Sequence, residues 1–439
     1  MAQYNQYISK VPKVNKEMCQ SDFWINKDKN SKKPIMTKEE IEKYNKKNIS
    51  SEAIVDIFSM EEKLHSEEVI ELIKALSKEP SVTRYKDGKP LTSEYYEKLK
   101  KNLGIHDLKD KIEIKYGLVI RRSNMKTFPT EDRVFKSPED YDLDRFMETT
   151  AYPCEPCAIY CSSSDHKWYL ARIYNYLAWI KAEDVAVGSK EKIMEYVNDK
   201  DFIVVTGKQV YTGFNPHNKE ISLLPLDMGV KLPLAKEEEI EDLVFDMYPC
   251  GSYVVKFPLR NEEGKLRFTM LLMSFTEDIS LGYLPYNTKN ILKQAFKFQG
   301  ERYGWGGEFF GRDCSGLVLD VYRTFGFTLP RNAGEQLKKG EGIKKEFGDT
   351  SSNEYKKTVF DKLVIGSAIF LDGHVGIYLG RDEKEHYMIH DTVGFYVEEG
   401  STKKYLSTKG VVVSPISCIY TSSGTEYLKA IIGVKTFKL

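Results

Sequence analysis

At 439 residues the chain is too long for one ordinary core, and two to four domains are expected. A hydrophobic share of 41% and 28 tyrosines exclude a disordered chain. Formal net charge is zero, from 65 basic and 65 acidic residues, so the charge gives no reason to expect a nucleic acid or other polyanion as partner.

No apolar run is long enough to span a bilayer. The opening residues, MAQYNQYISKVPK, lack the apolar centre of a secretion signal. That points to the cytoplasm; a protein of the envelope or exterior whose signal had been removed would read the same way. Seven cysteines, an odd number at irregular spacings, do not describe a disulfide framework, and at least one thiol must stay unpaired within the chain.

Residues 1–111 read as a lysine-rich helical clip. Thr37-Lys-Glu-Glu40 has the form of a capping box and starts a helix carrying Ile41 and Tyr44. A second helix is predicted from Glu61 to Ser77, with Leu64, Val69, Leu72, Ile73 and Leu76 at helical spacing. A third runs from about Thr92 to a glycine stop at Gly104.

The pattern changes where Ile112, Ile114, Tyr116, Leu118 and Ile120 alternate with other residues, the period of a strand. Short β-type runs follow: CAIYC, KWYLARIY, YLAWIKA, DFIVVTG, SYVVKF and LRFTMLLMSF. Such runs without long helices predict small barrels, and the length calls for two, over 112–189 and 190–286.

From residue 287 helical period returns through Ile291, Leu292, Ala295 and Phe296, with a stop at Gly300. After the loop ERYGWGGEFFGRD a helix opens at Cys314 and carries Leu317, Val318, Val321, Tyr322 and Phe325 as far as Gly326. The strands LVIGSAIFL, HVGIYLG, HYMIHDT and VVVS come next. Helices before strands make 287–439 an α+β domain.

The chemistry concentrates in this last domain. Cys314 falls in the first turn of its helix, where unpaired N–H groups and the dipole favour thiolate over thiol. His374 begins one apolar strand, and His390 shares a face with Met388 on another. If those strands pair as a hairpin, both imidazoles can face the Cys314 helix as base and orienting group. Asp391 competes with His390 for the third place, although its side chain points the other way. Against this stands the plainer reading of a small buried thiol and two structural histidines.

YGWGG, RDCSGLV, GHVGIYLG and a later histidine, in that order, resemble the NlpC family of cell-wall cysteine peptidases, a compact papain-like fold. The resemblance implies Cys314 as nucleophile, His374 as general base and His390 as its orienting partner. It also implies amide hydrolysis through a thioester.

Upstream, NQYISKV, DFWI and MTKEEIEKYN resemble the helical clip of one multidomain branch of that family. IRRSNMKTFPT and YLAWIKAEDVA resemble the branch's first bacterial SH3-like barrel, and 190–286 its second. Members of the branch are γ-D-glutamyl-L-diamino acid endopeptidases that prefer a free N-terminal L-alanine. By that likeness Tyr303, Asp313 and Ser315 contact substrate, Glu155 helps bind the amine and Tyr176 caps the pocket. Cys154 and Ala178 stand where the branch usually has glycine.

The expected partners are therefore peptidoglycan stem peptides or muropeptide fragments, bound by a monomer with no cofactor and no metal. The same Cys–His pair would serve an amidase or acyltransferase, and tandem barrels with a dead catalytic domain would make a cell-wall-binding protein. Cys154, Cys157, Cys161 and His166 also approach a zinc-ligand spacing, C-x2-C-x3-C-x4-H. Cys157 and Cys161 nevertheless fall on an expected strand, which splays side chains rather than gathering them.

Overall fold

The computed structural model describes residues 9–49 and 51–439. The opening MAQYNQYI, including the start of the NQYISKV motif, lies outside the described residues, as does residue 50. The chain packs as two compact units. One contains the described residues up to Ala53, Leu284–Tyr303 and Gly311–Leu439; the other contains Ile54–Tyr283 and Gly304–Phe310. The division at 53/54 falls inside the segment expected as one clip.

Local signals set the first helices. Helix α1 (Lys38–Asn48) opens with the anticipated capping box: Thr37 Oγ1 accepts from the Glu40 N–H at 3.2 Å, and Glu40 Oε2 accepts from the Thr37 N–H at 2.7 Å. Helix α2 (Ser66–Leu76) is shorter than predicted. Lys63–His65 instead forms a strand against Lys111–Glu113, with Leu64 opposite Ile112, and pairing there overrides helical period. Helix α3 (Ser93–Lys101) is capped by Thr92, and Gly104 beyond its end adopts φ 68°.

Seven strands follow: β1 (Lys115–Val119), β2 (Ser123–Lys126), β3 (Met147–Ala151), β4 (Pro156–Ser162), β5 (Trp168–Ile173), β6 (Tyr176–Lys181) and β7 (Val185–Gly188). They form one antiparallel sheet in the order β7-β1-β4-β5-β6-β2-β3. Alternate residues sort to two cores. Val119, Cys157, Ile159, Ala171, Ala178 and Val185 fill one face, whereas Leu118, Ala158, Tyr160, Leu170 and Trp179 join Val69, Ile73, Tyr96 and Leu99 of α2 and α3 on the other. Burial on both faces explains why period 2 is blurred in these strands.

The segment expected as a second barrel pairs as three separate sheets. Phe202–Val205 lies between Lys231–Pro233 and Ile279–Leu281; Gln209–Tyr211 pairs with Pro225–Asp227; Ser252–Arg260 and Leu266–Ser274 form a long hairpin.

In the other unit, α4 (Thr288–Phe296), α5 (Cys314–Arg323), α6 (Ala333–Lys338) and α7 (Asn353–Phe360) precede most of a six-stranded antiparallel sheet. Its strands are β8 (Ile343–Glu346), β9 (Ala368–Leu371), β10 (His374–Asp382), β11 (Glu385–Glu399), β12 (Thr402–Pro415) and β13 (Ile431–Thr436), and their order is β8-β13-β9-β10-β11-β12. Helix α8 (Tyr427–Ala430) leads into β13.

The N-terminal residues hold this unit from outside. Asn45 bonds Gly326 O and Thr328 N, Asn48 bonds Thr328 O and Glu341 N, and the Tyr44 hydroxyl donates to Glu341 O. The fully buried Trp24 packs on Tyr387. Two buried lysines close helix ends here: Lys435 donates to three carbonyls at the end of α6, and Lys356 to three around the end of α8. No helix among the described residues is long and apolar enough to cross a membrane.

Candidate active site

The turn into α5 is set by Asp313. As N-cap, its Oδ1 accepts from the Gly316 N–H at 2.8 Å, which leaves Cys314 as the first helical residue. Cys314 is only 7% exposed, and the Val375 backbone beside it favours its thiolate form. Val375 follows His374 at the start of β10, the strand on which α5 packs.

Strands β10 and β11 pair as the expected hairpin, Tyr378 opposite Met388. That register brings His374 Nε2 and His390 Nδ1 to 2.7 Å. The His374 nitrogen left for the thiol is Nδ1. His390 Nε2 faces the Ser414 hydroxyl at 3.0 Å.

Electrostatics here correct one expectation. Burial, with the Asp313 charge adding to it, pushes the Cys314 thiol up to about 12 and outweighs the helix start. Burial pulls His374 down to about 4 and His390 well below its ordinary value, the latter with help from His374. His374 is part-buried as a residue, so water softens that drop; His390 is fully buried. Both shifts favour the neutral forms, a thiol at Cys314 and an imidazole at His374.

Asp391 points away from the histidines, as period 2 requires. Neither carboxylate oxygen has a hydrogen-bond partner, and burial, reinforced by Asp313 and Glu301, raises it well above the usual range. It is not His374's partner; His390 is.

Tyr303, Asp313 and Ser315 lie in the same unit as Cys314. Tyr303 is half-buried, and burial, with the Asp313 charge adding to it, keeps its phenol un-ionised. Burial alone would raise Asp313, but Arg331 outweighs it and holds the carboxyl below its ordinary range. Arg331 bonds both Asp313 oxygens, at 3.0 and 2.6 Å, and Ser315 Oγ at 2.8 Å. Beneath them Arg312 pairs with Glu301 at 2.8 Å and Asp320 at 2.5 Å. Sequence reading had named neither arginine.

Glu155 and Tyr176 belong to the other unit. Glu155 Oε2 accepts from the Tyr152 N–H at 3.0 Å, across a turn in which Cys154 adopts φ 70°. That left-handed angle is why glycine suits the position. The Tyr176 hydroxyl donates to Glu148 Oε2, and Glu148 Oε1 accepts from Thr127 Oγ1 at 2.6 Å. Glu148 was missed because its link to Tyr176 crosses 28 residues. Among the described residues no three His, Cys, Asp or Glu side chains are grouped as a metal ion would need, so the zinc-like spacing does not gather in space.

The GWGG loop is seated on strand β3. Trp305 Nε1 donates to Met147 O at 3.2 Å, and Thr150 Oγ1 to Gly306 O at 2.9 Å. A Cβ on Gly306 would lie 2.7 Å from Met147 Cγ, and one on Gly307 2.2 Å from Thr150 Oγ1. Both glycines also have positive φ, so no other residue fits either place.

A thiol at a helix start, set against a strand-borne imidazole pair on an antiparallel sheet, is the arrangement of papain-like cysteine peptidases. Residues 300–420 match the family model described as NlpC/P60 family, and 133–181 the one described as SH3 domain of SH3b1 type. The chain thus carries an NlpC/P60 domain and an SH3b domain.

Over 95 residues it is 37% identical to a bifunctional muramidase/DL-endopeptidase of Bacillus subtilis (strain 168), covering 21% of this chain and 27% of that one. Over 150 residues it is 31% identical to a gamma-D-glutamyl-L-lysine dipeptidyl-peptidase of Bacillus cereus (strain ATCC 10987 / NRS 248), covering 34% and 40%. It thus spans well under half the length of either relative. A solved structure of an NlpC/P60 endopeptidase from Photobacterium damselae subsp. piscicida shares the fold, with TM-score 0.73, 17% identity and coverage of 92% of this chain and 94% of that one.

Proposed function

We propose that this protein is a cysteine endopeptidase that hydrolyses the γ-D-glutamyl–diamino acid bond of peptidoglycan stem peptides carrying a free N-terminal L-alanine. The observation that carries the reading is Cys314 at the start of α5, a helix packed on the strand whose His374 has its Nε2 held by His390 at 2.7 Å. In the proposed cycle His374 Nδ1 takes the thiol proton as sulfur attacks the γ-carbonyl. The Cys314 N–H and the un-ionised Tyr303 hydroxyl meet the oxyanion. The leaving amine takes the proton from His374 and departs, leaving a thioester. Water, deprotonated by the same imidazole, then releases the acid and the thiol.

The names of the relatives and the two domain matches support the substrate class. Asp313 is proposed to contact substrate within its own unit; Glu155 and Tyr176 keep their proposed amine-binding role in the other, where Glu148 pairs with Tyr176 as a further carboxylate. A helical clip, a second SH3-like barrel over 190–286 and action as a monomer belong to the same proposal. The test is mass analysis of products from L-Ala-γ-D-Glu-diaminopimelate. Release of L-Ala-D-Glu by the wild-type chain and none by Cys314→Ala is expected; no cleavage by fresh, reduced wild-type enzyme rejects the reading.

A further inference from the structure

The relay that begins at Cys314 does not stop at His390. His390 spends Nδ1 on His374 and presents Nε2 to Ser414 Oγ at 3.0 Å. Both His390 and Ser414 are fully buried, so bulk water does not compete for that bond. The ring is held in place between Phe395, stacked at 6.0 Å, and Tyr427, edge-on at 6.0 Å. Strand pairing sets Ser414 opposite Met388, two residues from His390 on the same face.

A neutral imidazole carries one N–H, whereas a hydroxyl can donate or accept. The direction of the Ser414 bond therefore decides every proton before it. If Ser414 accepts, His390 carries its proton on Nε2 and offers a bare Nδ1 to the Nε2–H of His374. His374 Nδ1 is then bare and able to take the Cys314 proton. If Ser414 donates, the chain reverses, His374 Nδ1 already holds a proton, and the base is lost.

We propose that Ser414 is a positioning residue that accepts from His390 Nε2–H and so holds His374 in the one tautomer able to deprotonate Cys314. This inference rests on the peptidase reading above. Ser414 acts through His390 and does not touch substrate.

The test uses the full chain labelled with 15N-histidine. In the wild type, His390 is expected to show a protonated Nε2 and a bare Nδ1; the opposite pattern overturns the proposal. Ser414→Ala is expected to lower kcat about tenfold at unchanged KM, the loss that one buried hydrogen bond accounts for. Ser414→Thr, which keeps the hydroxyl, is expected to recover most of it. An unchanged kcat in Ser414→Ala, or a loss confined to KM, also overturns it. Should Ser414→Ala fail to fold, the wild-type nitrogen pattern decides alone. An inactive wild type would reject the peptidase reading, while the tautomer of His390 would still decide the role of Ser414.

Discussion

Gly376 lies directly across from His390, and an ideal Cβ there would sit 2.9 Å from the His390 Cβ and 3.1 Å from Met388 Sδ. The glycine of HVGIY is thus the space into which His390 fits. Gly376→Ala must push β11 away and lengthen the 2.7 Å bond between the imidazoles. A displacement near 1 Å costs on the order of 10²-fold in rate, so kcat should fall 10- to 100-fold with the circular dichroism spectrum retained. Wild-type kcat in this variant would show that His390 does not need that closeness.

The pH profile follows from the neutral resting pair. As the proposed base, His374 can act only when unprotonated, and burial takes it down to about 4. The acid limb of kcat/KM should lie well below ~6.5, the ordinary histidine value, and toward 4. The sign for stability is the same. Between those values the unfolded chain binds a proton that the folded chain refuses, so this histidine's contribution is complete above the unfolded value and lost as pH falls. A limb at or above ~6.5 would contradict the buried environment.

Glu148 and Glu155 make a paired test of amine recognition. Glu148 holds the Tyr176 hydroxyl, whereas the carboxylate of Glu155 turns back on its own turn. Glu148→Gln should raise KM for a free-amine stem peptide about tenfold, the scale of one charge-assisted hydrogen bond, and leave an N-acetylated peptide unaffected. Glu155→Gln should do less. Equal effects on the acetylated peptide would remove Glu148 from amine binding.

Much of the fold was legible because its signals are local. Thr37, Thr92 and Asp313 announce helix starts a few residues away, and Gly104, Gly300 and Gly326 announce stops. The His374–His390 pairing was legible because a hairpin converts sequence spacing into register. Arg331, Glu148 and Ser414 were not, since each meets its partner from a separate element. Lys63–His65 misled because a short strand depends on a partner 48 residues further along. The thiolate expectation failed for a related reason: helix position is local, but burial is not.

The loop Gly304–Phe310 rests on strand β3 of one unit, while the residues on either side of it in the chain, Tyr303 and Gly311, belong to the other. Evolution by shuffling whole modules would meet an obstacle here. A gene segment beginning at Leu284 would encode Cys314 together with seven residues cut off from their seat. Lineages that trade the last domain as a cassette must first rebuild that loop.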